Sequence, residues 1–277
     1  MVCTVPVDGL PVRRRLVSKQ SEKENYAGRR GDDAPSFRLG LRILWRGHGR
    51  IMGHMIRAVL FDMDGILFDS ERAYMEGNLK VLRSLGYTGR DSGLYGVIGK
   101  NMDGVYHYFY DLLDHKVPYE DVKRADDQYF VDHPVDFKSI VFPDVPGTVQ
   151  KLKRDGKILA VCSSSPKDVI DQCLAEIGLE EYFDFAISSD QVDRPKPAPD
   201  VYLHAMRVLG LSPLQCIVYE DSADGIAAAK NAGLRVIARE DKRYGQDQSA
   251  ADWIVKDSTG MYERVLLEDQ DGRSVSN

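Results

Sequence analysis

The chain has 277 residues, 43% apolar and 29% charged, with a formal net charge of −6, which exceeds the roughly 100 to 200 residues of an ordinary single domain and leaves ample apolar material for a core. No apolar run reaches the length of about 18 residues that a membrane helix needs, so a bilayer-spanning helix is excluded. Residues 1–54 carry eleven Lys and Arg against five Asp and Glu, leaving the rest at about −12, and an acidic body of that kind argues against a nucleic-acid partner.

The chain opens with Arg13, Arg14 and Arg15 and a polar stretch that has little hydrophobic periodicity before Leu39. Residues 1–54 read as a disordered leader, as a processed Arg-rich targeting segment, or as an over-extended start, since Met52 and Met55 directly precede the first strand pattern. From residue 55 the sequence divides into strand, loop and helix units. Ala58–Phe61, Ile158–Cys162, Phe185–Ile187, Cys216–Tyr219, Arg235–Ala238 and the weaker Trp253–Val255 are continuous apolar runs, the pattern of strands covered on both faces. Between them a helix is predicted from Ser165 as N-cap, with Pro166 at its first position, to Gly178; others run over 199–209 and 223–232, each followed by Gly. The alternation predicts an α/β fold, a doubly wound parallel sheet.

Roughly 100 residues separate the first two strands, far more than the dozen a crossover requires, and their pattern is helical. The organisation expected is therefore an α/β core over 55–71 and 141–258, an inserted α-helical cap over 72–140, and a C-terminal helix and tail over 259–277. Cys3, Cys162, Cys173 and Cys216 lie far apart with no CxxC pair, and three fall in apolar patterns. They read as reduced thiols of a cytoplasmic protein. The six histidines make no HxH or HExxH arrangement, so a zinc site has little support.

The strongest chemical signal is the run Leu60 to Glu71, in which an apolar strand delivers Asp62 and Asp64 to its C-terminal end and Gly65 permits a sharp departure. Ligands bind at that edge of open α/β sheets. One aspartate there is an ordinary polar strand terminus; two at i and i+2 can face the same side of an extended end.

The DxDGxLxDSE string resembles the first motif of the haloacid dehalogenase-like hydrolase superfamily, in its branch of helical-cap phosphatases and β-phosphoglucomutases. The later motifs follow in order over about residues 56–258: Ser163 at the second strand's end, Lys196 in RPKPAPD, and the acidic stretch from Glu220 and Asp221 to Gly233. Taken singly, Lys196 is a solvated loop lysine, Ser163 to Ser165 a strand-to-helix cap, and Asp221-Ser222 an N-cap.

The resemblance implies a Mg²⁺-dependent phosphatase acting on a small phosphorylated metabolite. Asp62 would be the nucleophile that forms an aspartyl phosphate, and Asp64 the acid and base. Asp62, the Asp64 backbone carbonyl and Asp221 would hold the metal, with Glu220 a ligand or a partner of the ligands. Lys196, Ser163 and Ser164 would hold the phosphoryl group, and Lys100, in a cap loop, would meet a polar or anionic substrate. β-Phosphoglucomutases place Arg in that loop and His on the first cap helix, where this chain has Gly99 and Tyr74. That departure favours water as acceptor, so hydrolysis is expected over a mutase, and both over a noncatalytic binding protein. Sugar phosphates rank ahead of phosphoglycolate and nucleotides, with neither nucleic acid nor membrane as partner and a monomer or small homo-oligomer as the assembly.

Overall fold

A computed structural model describes residues 55–98 and 102–274, the side chains of 271–274 excepted. The leader discussed above lies outside the described residues.

Six strands form one parallel sheet: β1 (Ala58–Phe61), β2 (Ile158–Ser163), β3 (Phe185–Ser188), β4 (Cys216–Glu220), β5 (Arg235–Arg239) and β6 (Trp253–Val255), in the spatial order β3-β2-β1-β4-β5-β6. The fold is the doubly wound α/β architecture anticipated from the apolar runs. The winding reverses beside β1, which pairs with β2 on one side and β4 on the other, so Phe61 faces both Val161 and Tyr219. This reversal opens a crevice at the carboxyl ends of β1 and β4.

Side chains alternate across the sheet with the period of two that a strand imposes. Val59, Phe61, Val161, Ile217 and Tyr219 point to one buried layer, and Ala58, Leu60, Cys162, Val218 and Val236 to the other. Helices α5 (Val145–Arg154), α6 (Lys167–Glu176) and α9 (Ser258–Ser274) cover the first face, with α7 (Asp200–Leu209) and α8 (Ala223–Asn231) on the second.

Between β1 and β2 the chain leaves the sheet to build a helical unit from α1 (Ser70–Ser84), a 3₁₀ segment over Asp91–Val97, α2 (Met102–Leu112) and α3 (Tyr119–Asp132), and returns through the short α4 (Phe137–Ile140). This cap has its own apolar centre of Leu82, Leu94, Val97, Val105, Phe109 and Val122. The outgoing and returning strands of chain run side by side: Asp69 N donates to Ile140 O at 2.9 Å and Phe142 N to Leu67 O at 3.1 Å. The cap is thus joined to the core by two short, mutually hydrogen-bonded connections. Among the described residues no helix is long and apolar enough to cross a membrane.

Candidate active site

Parallel pairing sets the site. Asp62 follows the last residue of β1 and donates its backbone N–H to Tyr219 O at 2.9 Å, which brings it beside Glu220 at the end of β4. Lys196, from the loop before α7, reaches between them: its Nζ donates to Asp62 Oδ1 at 2.7 Å and to Glu220 Oε1 at 2.6 Å. Burial alone would favour the neutral amine, but Asp62 and Glu220 outweigh it and hold Lys196 charged.

Glu220 is completely buried and saturated. Oε1 also accepts from Tyr202 Oη at 3.0 Å, while Oε2 accepts from the N–H groups of Asp221 and Ser222 at 3.0 and 3.1 Å and from Ser222 Oγ at 3.1 Å. The Lys196 ammonium first, and then the N–H groups of Ser222 and Asp221, hold its carboxyl below the usual range despite burial. Ser222 in turn caps α8, its Oγ accepting from Gly225 N at 3.1 Å.

Two glycines let these carboxylates approach backbone. Gly65 has φ +74°, and a Cβ there would lie 2.0 Å from Asp221 Oδ2. At Gly225 a Cβ would lie 1.6 Å from Glu220 Oε1. Neither position has room for a side chain.

Asp64 stands in a different setting. Its Oδ2 accepts from Ser165 Oγ at 3.0 Å, and its buried Oδ1 has no hydrogen-bond partner among the described residues. Burial pushes its carboxyl up, against the pull of the Ser70 and Ser165 hydroxyls. The predicted role of Ser165 as N-cap of α6 is not what the structure shows: Pro166 occupies the cap position without a side-chain bond, and the Ser165 hydroxyl turns to Asp64 instead. The helix begins one residue later, after Pro166, with Asp168 in its first turn, and the Ser165 hydroxyl proton goes to a carboxylate, a strong acceptor.

The structure brings Asp62, Asp64, Lys196, Glu220 and Asp221 to one crevice. Ser163 is buried at the end of β2, with its Oγ accepting from Ser165 N at 3.0 Å, whereas Ser164 beside it is exposed. Lys100 and its neighbour Gly99 lie outside the described residues. Sequence reasoning passed over Tyr202 and the donation from Ser165 to Asp64. The serine triplet was a signal for the second; nothing local pointed to the first.

Asp62, Glu220 and Asp221 each offer a carboxylate oxygen within 4.8 Å of the others. An all-oxygen set suits a hard divalent cation such as Mg²⁺. Charge argues the same way, because one lysine faces three acids, and burial raises both Asp62, to about 7, and Asp221 well above the ordinary range. A cation would return both carboxyls to their ionised form. Glu220 has both oxygens engaged already, so Asp62 and Asp221 are the carboxylates with donor capacity to spare. Burial pushes the Cys162 and Cys216 thiols up to about 12, which leaves both inert as nucleophiles.

Comparison with known proteins points in the same direction. The family model of haloacid dehalogenase-like hydrolases matches residues 59–239. Protein CbbY of Rhodobacter capsulatus is 28% identical, over 77% of this chain and 98% of its own length. Hexitol phosphatase B of Escherichia coli strain K12 is 32% identical over 66% of this chain and 82% of its own. Among solved structures, a mutant of CbbY from Rhodobacter sphaeroides in complex with xylulose-(1,5)bisphosphate matches with a TM-score of 0.53 at 27% identity, covering 74% of this chain and 95% of its own.

Proposed function

The chain belongs to the haloacid dehalogenase-like hydrolases and is a phosphoric monoester hydrolase, and from that premise we propose that it hydrolyses a small sugar phosphate through an aspartyl phosphate on Asp62, with Mg²⁺ as cofactor. The observation that carries this reading is the contrast between two neighbouring carboxyls. Asp62 is held by the Lys196 ammonium at 2.7 Å, while Asp64 accepts from the neutral Ser165 hydroxyl and keeps one buried oxygen without a hydrogen-bond partner among the described residues. Neighbouring acids in opposed settings divide the work of nucleophile and proton carrier.

In this reading Asp62, Asp221 and the Asp64 carbonyl hold the metal, whose chemistry is to offset the charge of a phosphate dianion that otherwise repels an anionic nucleophile. Lys196 fixes the direction of the Asp62 carboxylate and stands ready to meet the phosphoryl oxygens. Glu220 holds Lys196 in place and is not itself a ligand. The free oxygen of Asp62 attacks phosphorus as Asp64 gives its proton to the leaving alcohol oxygen. Asp64, now ionised, takes a proton from water, which attacks the phosphoaspartate and regenerates Asp62 as inorganic phosphate departs. Ser163, buried at the end of β2, would donate its hydroxyl to a phosphoryl oxygen, with exposed Ser164 a weaker candidate. The sugar class follows from hexitol phosphatase B and from the sugar bisphosphate bound in the CbbY structure. The alternative acceptor, a second sugar hydroxyl, gains nothing from Tyr74, which packs in the cap with its ring 5.5 Å from that of Phe130.

The test is phosphate release from a panel of sugar phosphates, phosphoglycolate and nucleotides, with Mg²⁺ and with EDTA, in wild type and Asp62→Asn. Metal-dependent release from sugar phosphates that falls by about a thousandfold or more in the variant is expected. Release that Asp62→Asn leaves undiminished would remove the nucleophile assignment, and activity only with sugar bisphosphate priming would make the protein a mutase.

A further inference from the structure

The segment between β5 and β6, residues 240–252, touches three separate parts of the molecule. At its base, Gln248 is buried and its side-chain amide is fully used: Nε2 donates to Asp221 O at 2.6 Å and to Arg239 O at 2.7 Å, and Oε1 accepts from Asp241 N at 3.3 Å. Gln246 Oε1 accepts from Ala223 N at 3.2 Å, on the other side of the same acidic loop. In its middle, Arg243 grips Asp69 with both terminal nitrogens, Nη1 to Oδ2 at 2.8 Å and Nη2 to Oδ1 at 2.9 Å. Asp69 is the residue at which the chain leaves the core for the cap. Next to it, Tyr244 packs against the apolar centre of the cap, with its ring edge-on to Tyr95 at 5.3 Å.

Each contact has a physical reason. The β4–β5 pairing ends at Glu220 opposite Ala238, so the Asp221 carbonyl has no ladder partner and must find a donor elsewhere. A glutamine amide supplies two donors and an acceptor from a single planar group, so three bonds fix both its position and the backbone it holds. The Arg243 fork matches a carboxylate with two parallel bonds, which fixes angle as well as distance. The Tyr244 ring meets the cap by dispersion and edge-to-face contact, and the Arg243 guanidinium lies over the ring, 5.0 Å from its centroid. Of the three contacts the one between this ring and the cap depends least on direction, and so it is the one most easily made and broken.

We propose that Gln248 is a positioning residue for the metal-holding Asp221, and that residues 240–248 couple its placement to the closure of the cap through Arg243 at the hinge and Tyr244 on the cap. The inference rests on the reading of Asp221 as a metal ligand. In the closed arrangement Tyr244 seats against Tyr95, Arg243 holds the hinge at Asp69, and Gln248 sets the Asp221 backbone so that its carboxylate faces Asp62. When the cap swings away the loop loses its outer contact, and the acidic loop loses part of its support.

The experiment titrates Mg²⁺ against the full-length protein and follows the rise in melting temperature, a readout independent of turnover, in wild type, Gln248→Met, Tyr244→Ala, Arg243→Lys and the Gln248→Met/Tyr244→Ala pair. Gln248→Met is expected to raise the Mg²⁺ concentration for the half-maximal shift by about tenfold, the lower end of what losing an outer partner of a metal ligand costs, with the sugar-phosphate KM at saturating Mg²⁺ within about twofold of wild type. Tyr244→Ala, which contacts neither Asp221 nor Asp62, is expected to raise it by about threefold, and the pair to show less than the product of the two because they act through one loop. Wild-type Mg²⁺ titrations in both Gln248→Met and Tyr244→Ala, or effects that simply multiply, would overturn the coupling. Should Gln248→Met not fold, Tyr244→Ala and Arg243→Lys decide alone, and wild-type titrations in both would overturn it. A wild type whose melting temperature ignores Mg²⁺ would overturn the metal reading and this inference together, so the two failures are told apart by the wild-type curve.

Discussion

Two buried lysines stand at opposite edges of the same sheet, and the difference between them separates a structural ion pair from a reactive one. At the amino-terminal edge Lys157, preceding β2, pairs with Asp269 of α9 and donates to Ile56 O at 2.6 Å, while Ile56 N donates to Asp269 Oδ1 at 2.8 Å. One cation meets one anion, and the remaining bonds go to backbone, so the clip ties the start of β1 to the C-terminal helix with its charge balanced. At the carboxyl edge Lys196 meets Asp62 and Glu220, with Asp221 within 4.8 Å of both acids. That edge holds more negative charge than its single lysine offsets. A balanced pair in low dielectric is inert, whereas an unbalanced one calls for a further cation and keeps carboxyls at the point of ionising.

The comparison is tested first by removing each cation. Lys196→Met is expected to lower kcat/KM for the best sugar phosphate by about a hundredfold to a thousandfold, the cost of losing a preorganised charge in a dry site. Lys157→Met is expected to leave kcat within about twofold and to lower stability in urea by about 3–5 kcal/mol, because Asp269 then stays buried without its partner. Activity lost in Lys157→Met at full stability would invert the assignment. Replacing both members of the clip, Lys157→Met with Asp269→Leu, should restore part of that loss, since the buried charge is gone while the Ile56 N–H and C=O lose these two partners.

A smaller effect distinguishes the two edges by pH. Burial raises the Asp62 carboxyl to about 7, with Lys196 pulling it down and Glu220 pushing it up. Between its ordinary value near 4 and about 7 the folded protein keeps a proton that the unfolded chain releases, so the contribution of Asp62 to stability declines as pH rises through that window. In EDTA, Asp62→Asn is therefore expected to melt above wild type at pH 8, with the gap closing by pH 5. Saturating Mg²⁺ should reverse the order at pH 8, because only the carboxylate offers the metal an anionic ligand. A gap independent of pH would show that Asp62 is not held in a raised state. Smallest of all, Ser222→Ala removes the cap of α8 and one of the bonds to Glu220, at an expected cost of about 0.5–2 kcal/mol in chemical denaturation.

Much of the fold was legible because its signals are local. A parallel strand covered on both faces is a continuous apolar run, and the six runs recognised in the sequence are the six strands of the sheet. The same holds for helix ends such as Gly210, which takes the left-handed conformation after α7. The site was legible as a set of residue types at strand ends, not as a set of contacts. Ser165 shows the limit: a serine before Pro and an acidic first turn is a sound N-cap pattern, yet its hydroxyl found Asp64, a residue 101 positions away. Gln248 and Tyr202 carried no pattern at all, because a glutamine in a polar loop and a tyrosine on an amphipathic helix look the same whether or not a carbonyl or carboxylate waits opposite.

What the sequence determined by itself was therefore which segments are strands, where a helical unit interrupts them, and which acids stand at strand ends, since each depends on neighbours within a few positions along the chain. Tertiary structure decided that β1 lies between β2 and β4, that Lys196 is shared by Asp62 and Glu220, that Asp64 is left with a hydroxyl rather than a cation, and that one loop spans hinge, cap and acidic turn. These are consequences of burial and pairing between segments far apart in sequence, where the energy of a charge or a hydrogen bond depends on what the fold places opposite it.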